Sequence, residues 1–146
     1  MSVASDSPGA VLFACNFNRV RSPMAEALLR RIARDRIYVD SCGLRLADAS
    51  AVDPFAEAVM AEIACDLSEH APKTFDQLQD ASFDLVISFT PEAQHRAVEM
   101  ARGRAAEIEY WPIHDPTQVE GSRESRLTAY REVRDVLAAR IARRFG

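Results

Sequence analysis

Four short apolar runs, each passing into a helix-period stretch or a turn, constrain this chain more than any other feature. They span residues 11–14, 37–42, 83–89 and 108–111. Behind the first, Met24, Leu28 and Ile32 recur at helical spacing, with Arg30, Arg31, Arg34 and Asp35 on the opposite side. Behind the second come Phe55, Val59 and Ile63. Strands that alternate with helices are joined by crossovers, and crossovers build a parallel sheet covered by helices. A chain of 146 residues is enough for one such core. The expectation is one doubly wound α/β domain.

Punctuation supports these assignments. Gly43 stops the second strand, and residues 44–52 read as a loop. Asp53-Pro54 and Thr90-Pro91-Glu92 each offer an N-cap followed by a proline in the first turn, where no helical N–H is missed. Residues 66–83 read as irregular, with a short helix near 75–78. A final helix is expected over 123–143, its stripe of Leu127, Tyr130, Leu137 and Ile141 interrupted by Arg134. Residues 1–9 are small and polar, a frayed leader rather than a signal peptide, which leaves 10–146 as the domain.

Charge and cysteines narrow the function. A net charge of −4 argues against nucleic acid as a partner, and no apolar run approaches the ~20 residues that span a bilayer. Lys73 is the sole lysine among 18 basic residues, an arginine bias that reads as genome composition. Three irregularly spaced cysteines give neither a disulfide framework nor a metal pattern, so a reducing, cytoplasmic setting is expected.

Between the first strand and its helix lie Cys15, Asn16, Phe17, Asn18, Arg19, Val20 and Arg21, with Ser22 next. A loop of this length can wrap one tetrahedral oxyanion: backbone N–H groups point inward, a helix N-terminus adds positive potential, and the guanidinium closes the ring. A thiol on the floor of such a cradle is favoured in its charged form. The expected chemistry is that of a cysteine-based phosphatase. In an open parallel sheet the loop after the first strand and the Asp115-Pro116 loop after the fourth share the carboxyl rim, where ligands bind.

These residues resemble the signature of the low-molecular-weight protein tyrosine phosphatases: a nucleophilic Cys, five residues including an Asn, then Arg-Ser-Pro/Gln-Met-Ala-Glu. The resemblance extends through Asp40-Ser41-Cys42-Gly43, Asp53-Pro54, Asp66-Leu67-Ser68 with His70, and Asp115-Pro116. It implies a four-stranded parallel sheet in a three-layer α/β/α arrangement, and phosphomonoester hydrolysis through a cysteinyl-phosphate, without metal or cofactor. Its expected partners are the phosphate oxyanion and a phosphotyrosine protein or small aryl phosphate. Cys15 is the implied nucleophile and Asp115 the general acid and base. Arg21 would grip two equatorial oxygens through its fork. Asn16, Phe17, Asn18, Arg19 and Val20 would line the phosphate, Asn18 bracing the loop in a left-handed conformation, and the Ser22 hydroxyl would donate to the sulfur.

Phe17 stands where the family usually has a small residue, and Val20 where it has a second cysteine, so the loop disulfide known in the family has no counterpart here. Aromatic residues often follow the family's Asp-Pro; here Thr117 and Gln118 do. Tyr110 and Trp111 read as core, as do Cys42 and Cys65. His70 reads as a structural hydrogen-bonding residue, His95 as helix surface, His114 as a neighbour of the acid, and the arginines of the last helix as a solvated face. Two alternatives remain: a phosphate- or phosphoprotein-binding module with little turnover, and arsenate reduction. The latter needs two relay cysteines, usually near the end of the third strand, where Ser88-Phe89-Thr90-Pro91 stands.

Overall fold

A computed structural model describes residues 8–79 and 82–146. Four strands, β1 (Ala10–Cys15), β2 (Tyr38–Gly43), β3 (Leu85–Ser88) and β4 (Glu107–Tyr110), pair in parallel in the order β2-β1-β3-β4. The central strands β1 and β3 are covered on both faces, which is why their sequences are unbroken apolar runs. The chain leaves β1 outward to β2, then returns past it to β3. The loops beyond β1 and β3 therefore part toward opposite faces and open a crevice at the strands' carboxyl ends.

Four helices, α1 (Arg21–Ala33), α2 (Pro54–Ala61), α3 (Pro91–Ala101) and α4 (Arg123–Phe145), complete three layers. On one face Val11, Phe13 and Cys15 pack with α1, α2 and α4 through residues such as Met24, Leu29, Met60 and Leu137. On the other, Leu12, Ala14, Cys42 and Val86 pack with Ala93 and Ala97 of α3 and with Phe75. Alternation along β1 thus assigns successive side chains to separate cores. Phe75 begins a single 3₁₀ turn, Phe75–Gln77, the only helical structure in the irregular stretch among its described residues.

Several expectations shift in detail. The strand expected at 37–42 sits one residue later, because Gly43 pairs with Cys15 at the edge of the loop. Ala25 and Leu29 are as deeply buried as Met24, since α1 is pressed between sheet and α4, whereas Ile32 is half-buried. Helix α2 ends at Ala61, and Ala64 at φ +60° turns the chain, so Ile63 lies beyond the helix. Trp111 is core, its ring 6.4 Å from that of Phe13, but Tyr110, at the end of an edge strand, is 40% exposed and not core. Of the expected leader, residues 1–7 lie outside the described residues, and the Gly9 N–H is tied to Asp84 Oδ2 at 2.8 Å.

The arginines of α4 are not simply a solvated face. Arg134 turns back to donate to the Val59 carbonyl and to Glu62, both at 2.8 Å, and Arg131 also binds Glu62. Arg126 and Arg140 lie over the rings of Phe55 and Trp111 at 4.5 and 4.6 Å. Among the described residues, no helix is long and apolar enough to cross a membrane.

Candidate active site

The loop from Cys15 to Arg21 is turned inside out relative to an ordinary surface loop, with its carbonyls fastened to the surrounding protein. Asn16 O accepts from Leu44 N (2.8 Å) and Arg45 N (3.1 Å), and Arg19 O from Asp53 N (3.0 Å). Asn18 O lies 3.0 Å from His70 Nε2; a carbonyl can only accept, so Nε2 carries the proton. Planar peptides with outward carbonyls turn the following N–H groups inward. Among the described residues, the N–H groups of Phe17, Asn18, Arg19 and Val20 donate to no protein acceptor.

Asn18 makes this conformation possible. Its φ is +57°, in the left-handed region that Asn tolerates better than most residues, and it is fully buried. Its side-chain amide donates to Ser22 Oγ (2.8 Å) and Ser41 Oγ (2.9 Å), while its Oδ1 accepts from Lys73 N (3.0 Å). Ser22 Oγ, which accepts this bond, lies 2.9 Å from Cys15 Sγ and 3.5 Å from the Cys42 carbonyl, within reach to donate its proton to a Cys15 thiolate. The sulfur sits at the end of β1, 3% exposed, at the start of the ring of inward N–H groups.

Arg21 closes that ring. It is 8% exposed, and Nη1 donates to the Ile113 carbonyl at 2.8 Å. Its Nε has no partner, and among the described residues no carboxylate lies within ion-pair range of it. A buried cation without a counter-charge is costly unless an anion binds beside it.

Cys15, Phe17, Arg21, Asp115, Arg126 and Tyr130 share one cleft of about 280 Å³. Asp115 caps a 3₁₀ turn, Pro116–Gln118; its Oδ1 accepts from Thr117 N (2.9 Å) and Thr117 Oγ1 (2.7 Å). Among the described residues Oδ2 makes no protein hydrogen bond, so one carboxylate oxygen is held and the other is available. Tyr130 donates to Asp53 Oδ2 at 3.0 Å, and burial with the Asp53 charge beside it pushes the phenol well above its ordinary pKa. A hollow of about 510 Å³ lined by Glu26, Asp40, His70 and Lys73 lies behind the loop, with no cysteine, serine or threonine on its walls.

The sequence candidates fall as follows. Phe17, 40% exposed, stands at the mouth of the cleft. Asn16 Oδ1 accepts from Thr90 Oγ1 (2.8 Å), Arg19 Nε donates to Ala51 O (2.6 Å), and Val20, largely buried, lines the cleft wall. Cys42 belongs to the opposite core from Cys15, and burial pushes its thiol up. Cys65 is buried on the α2 side. Burial pulls His70 down, so it is neutral in its structural role; His95 and His114 are exposed. Tyr130, Thr117, Arg126 and the Ile113 carbonyl were missed. Tyr130 read only as one member of the α4 stripe, and for the others the sequence carries no signal beyond nearness to Asp115.

Residues 10–144 match the family model described as low molecular weight phosphotyrosine protein phosphatase. An arsenate reductase of Halalkalibacterium halodurans is 34% identical over 131 residues, covering 90% of this chain and 91% of its own. A probable low molecular weight protein-tyrosine-phosphatase EpsP of Ralstonia solanacearum is 34% identical over 112 residues, 73% of this chain and 77% of its own. The solved low molecular weight protein tyrosine phosphatase of T. tengcongensis superposes with a TM-score of 0.76 at 21% identity, covering 91% of this chain and 95% of that one; this likeness concerns the fold.

Proposed function

The chain belongs to the low molecular weight phosphotyrosine protein phosphatase family, and on that premise we propose that it hydrolyses phosphomonoesters through a cysteinyl-phosphate at Cys15. The observation that carries this reading is the pairing of Cys15 Sγ with a buried, carboxylate-free Arg21 at the two ends of a loop whose N–H groups face inward. That combination suits a dianionic phosphate. The Cys15 thiolate attacks phosphorus in line, and the bond from phosphorus to the ester oxygen breaks. Asp115 hands its proton to that departing oxygen. Water then attacks the phosphocysteine and gives its proton to the Asp115 carboxylate. The S–P bond breaks, and the Ser22 hydroxyl receives the returning thiolate. Arg21 and the inward N–H groups favour the spread charge of the loose transition state over that of the ground state.

The substrate we propose is a phosphotyrosine protein or small aryl phosphate. Phe17, Tyr130 and the aliphatic side of Val20 supply the apolar surface that a phenyl ring requires. A reducing compartment such as the cytoplasm suits a nucleophilic thiol. The test is release of p-nitrophenol from p-nitrophenyl phosphate without added metal, inhibited by vanadate or phosphate. Cys15→Ser should abolish turnover; Asp115→Asn should slow it about 10²- to 10⁴-fold with far less effect on phosphate binding. Undiminished activity in Cys15→Ser refutes the mechanism.

The similarity to an arsenate reductase motivates a second reading. An arsenate relay passes a disulfide between thiols within reach of the first. Here Cys42 packs on the other face of the sheet from Cys15, and no cysteine occupies residues 82–100. Arsenate consumption coupled to a thioredoxin or glutaredoxin, measured on the same preparation, separates the two readings.

A further inference from the structure

Arginines on this molecule differ in whether a carboxylate answers them. Arg30, Arg96, Arg131, Arg134 and Arg144 each form an ion pair with Asp or Glu. The arginines around the cleft mouth do not. Arg19 and Arg126 line the opening; Arg45 lies over the Phe17 ring at 5.3 Å; Arg123 and Arg126 lie over Phe55 at 5.3 and 4.5 Å. Among the described residues, none of these four has a carboxylate within ion-pair range. Two carboxylates also line the cleft without pairing to these arginines: Asp53 caps α2 and accepts from Tyr130, and Asp115 accepts from Thr117 through Oδ1. A chain of net charge −4 thus sets four arginines without ion pairs around one opening, beside the Asp53 and Asp115 carboxylates.

The stacking matters as much as the charge. A guanidinium resting on a ring is held in place through its face, which leaves its donor edge free for a planar acceptor. Three such guanidiniums stand there: Arg45 over the cleft-lining Phe17, and Arg123 and Arg126 over Phe55, whose ring packs against the cleft-lining Tyr130. From this arrangement we infer that the mouth recognises carboxylate side chains next to the phosphorylated residue, so that the substrate is an acidic segment of a protein. The inference rests on the phosphatase reading for the place of the phosphate, and it specifies what surrounds that phosphate.

Two series of peptides test it, identical except for Asp and Glu, or Ala, or Lys on both sides of the modified tyrosine. One series carries phosphotyrosine and reports kcat/KM; the other carries a non-hydrolysable difluorophosphonate and reports Kd. Two exposed Arg–carboxylate pairs should favour the acidic peptide over the alanine peptide by about three- to tenfold in both series at low salt. The preference should fade at about 0.5 M salt. The triple substitution Arg45→Gln, Arg123→Gln and Arg126→Gln should bring the acidic-to-neutral ratio toward one, and the matching lysine triple should restore part of it. Equal or reversed preference, a preference indifferent to salt, a ratio untouched by the glutamine triple, or no phosphonate binding at all overturns the inference. Phosphonates that keep the acidic preference while no peptide is hydrolysed would leave the inference standing and refute hydrolysis. Hydrolysis without preference would do the reverse.

Discussion

Gly43→Ala is the sharpest single test of how the catalytic loop is held. Gly43 ends β2 beside Cys15, and a Cβ there would lie 2.8 Å from Asn18 N, 2.9 Å from Asn16 O and 2.9 Å from Phe17 C. All three atoms are backbone of the cradle. Ordinary contact begins near 3.4 Å, so the loop must retreat by roughly 0.5–0.6 Å. It cannot do so freely, because Asn16 O, Asn18 O and Arg19 O are each fastened to a neighbouring segment. Overpacking of this kind costs about 1–3 kcal/mol, which for a chain of this size lowers Tm by about 3–10 °C. Catalytic constellations tolerate displacements of about 0.5 Å, and 1 Å costs about 10²-fold. We therefore expect kcat/KM on p-nitrophenyl phosphate to fall about 10- to 100-fold, with vanadate binding weakened in parallel. Gly103→Ala is the control: at φ +74°, with nothing within 4 Å of a new Cβ, it should lose about 1 kcal/mol of stability and keep its kinetics. Wild-type kinetics and vanadate affinity in Gly43→Ala would refute the view that close backbone contact sets the loop.

Two further predictions concern the supports of the fold. Asn18→Ala removes two buried hydrogen bonds and one part-buried one and puts alanine at φ +57°, which should cost roughly 2–5 kcal/mol by thermal or urea denaturation; Asn18→Gly should recover only about 1 kcal/mol, and complete recovery would mean that backbone strain alone mattered. Hydrogen bonds from Arg131 and Arg134 hold the Glu62 carboxyl down to about 2, below the ~4.3 of an unfolded glutamate. Its contribution is therefore complete above the unfolded value and is lost as pH falls toward the folded one. Tm of the wild type should drop more steeply than that of Glu62→Gln between about pH 5 and about pH 2, and parallel curves would show that the tie between α2 and α4 contributes nothing.

Local signals in the chain were legible where local physics decides. β1 and β3 read correctly because strands buried on both faces must be apolar throughout, and Asp53 and Thr90 read correctly as caps because helix starts need acceptors for their own N–H groups. The loop from Cys15 to Arg21 was legible from its spacing and flanks. Contacts made across the fold were not. Arg21 is anchored by a carbonyl 92 residues away, and nothing near Ile113 announces it. Asp53 serves both as a cap and as the partner of Tyr130, 77 residues on, and only the first role has a sequence signature. Arg134 broke an apolar stripe because its head returns to a carbonyl of α2, a bond that periodicity cannot express. Tyr110 misled because an apolar pattern does not say which strand lies at the edge.

The unanswered charge of Arg21 also joins folding to occupancy. Without an anion, the native state bears the desolvation of a guanidinium that the unfolded chain leaves in water. Any tetrahedral oxyanion that completes the site relieves that burden only in the native state. Binding and unfolding are then two legs of one thermodynamic cycle, and each tenfold rise in free phosphate above its Kd adds about 1.4 kcal/mol to the stability of the fold. The midpoint of thermal unfolding becomes a gauge of inorganic phosphate. An oxyanion that competes with substrate for this site would, by the same free energy, protect the fold.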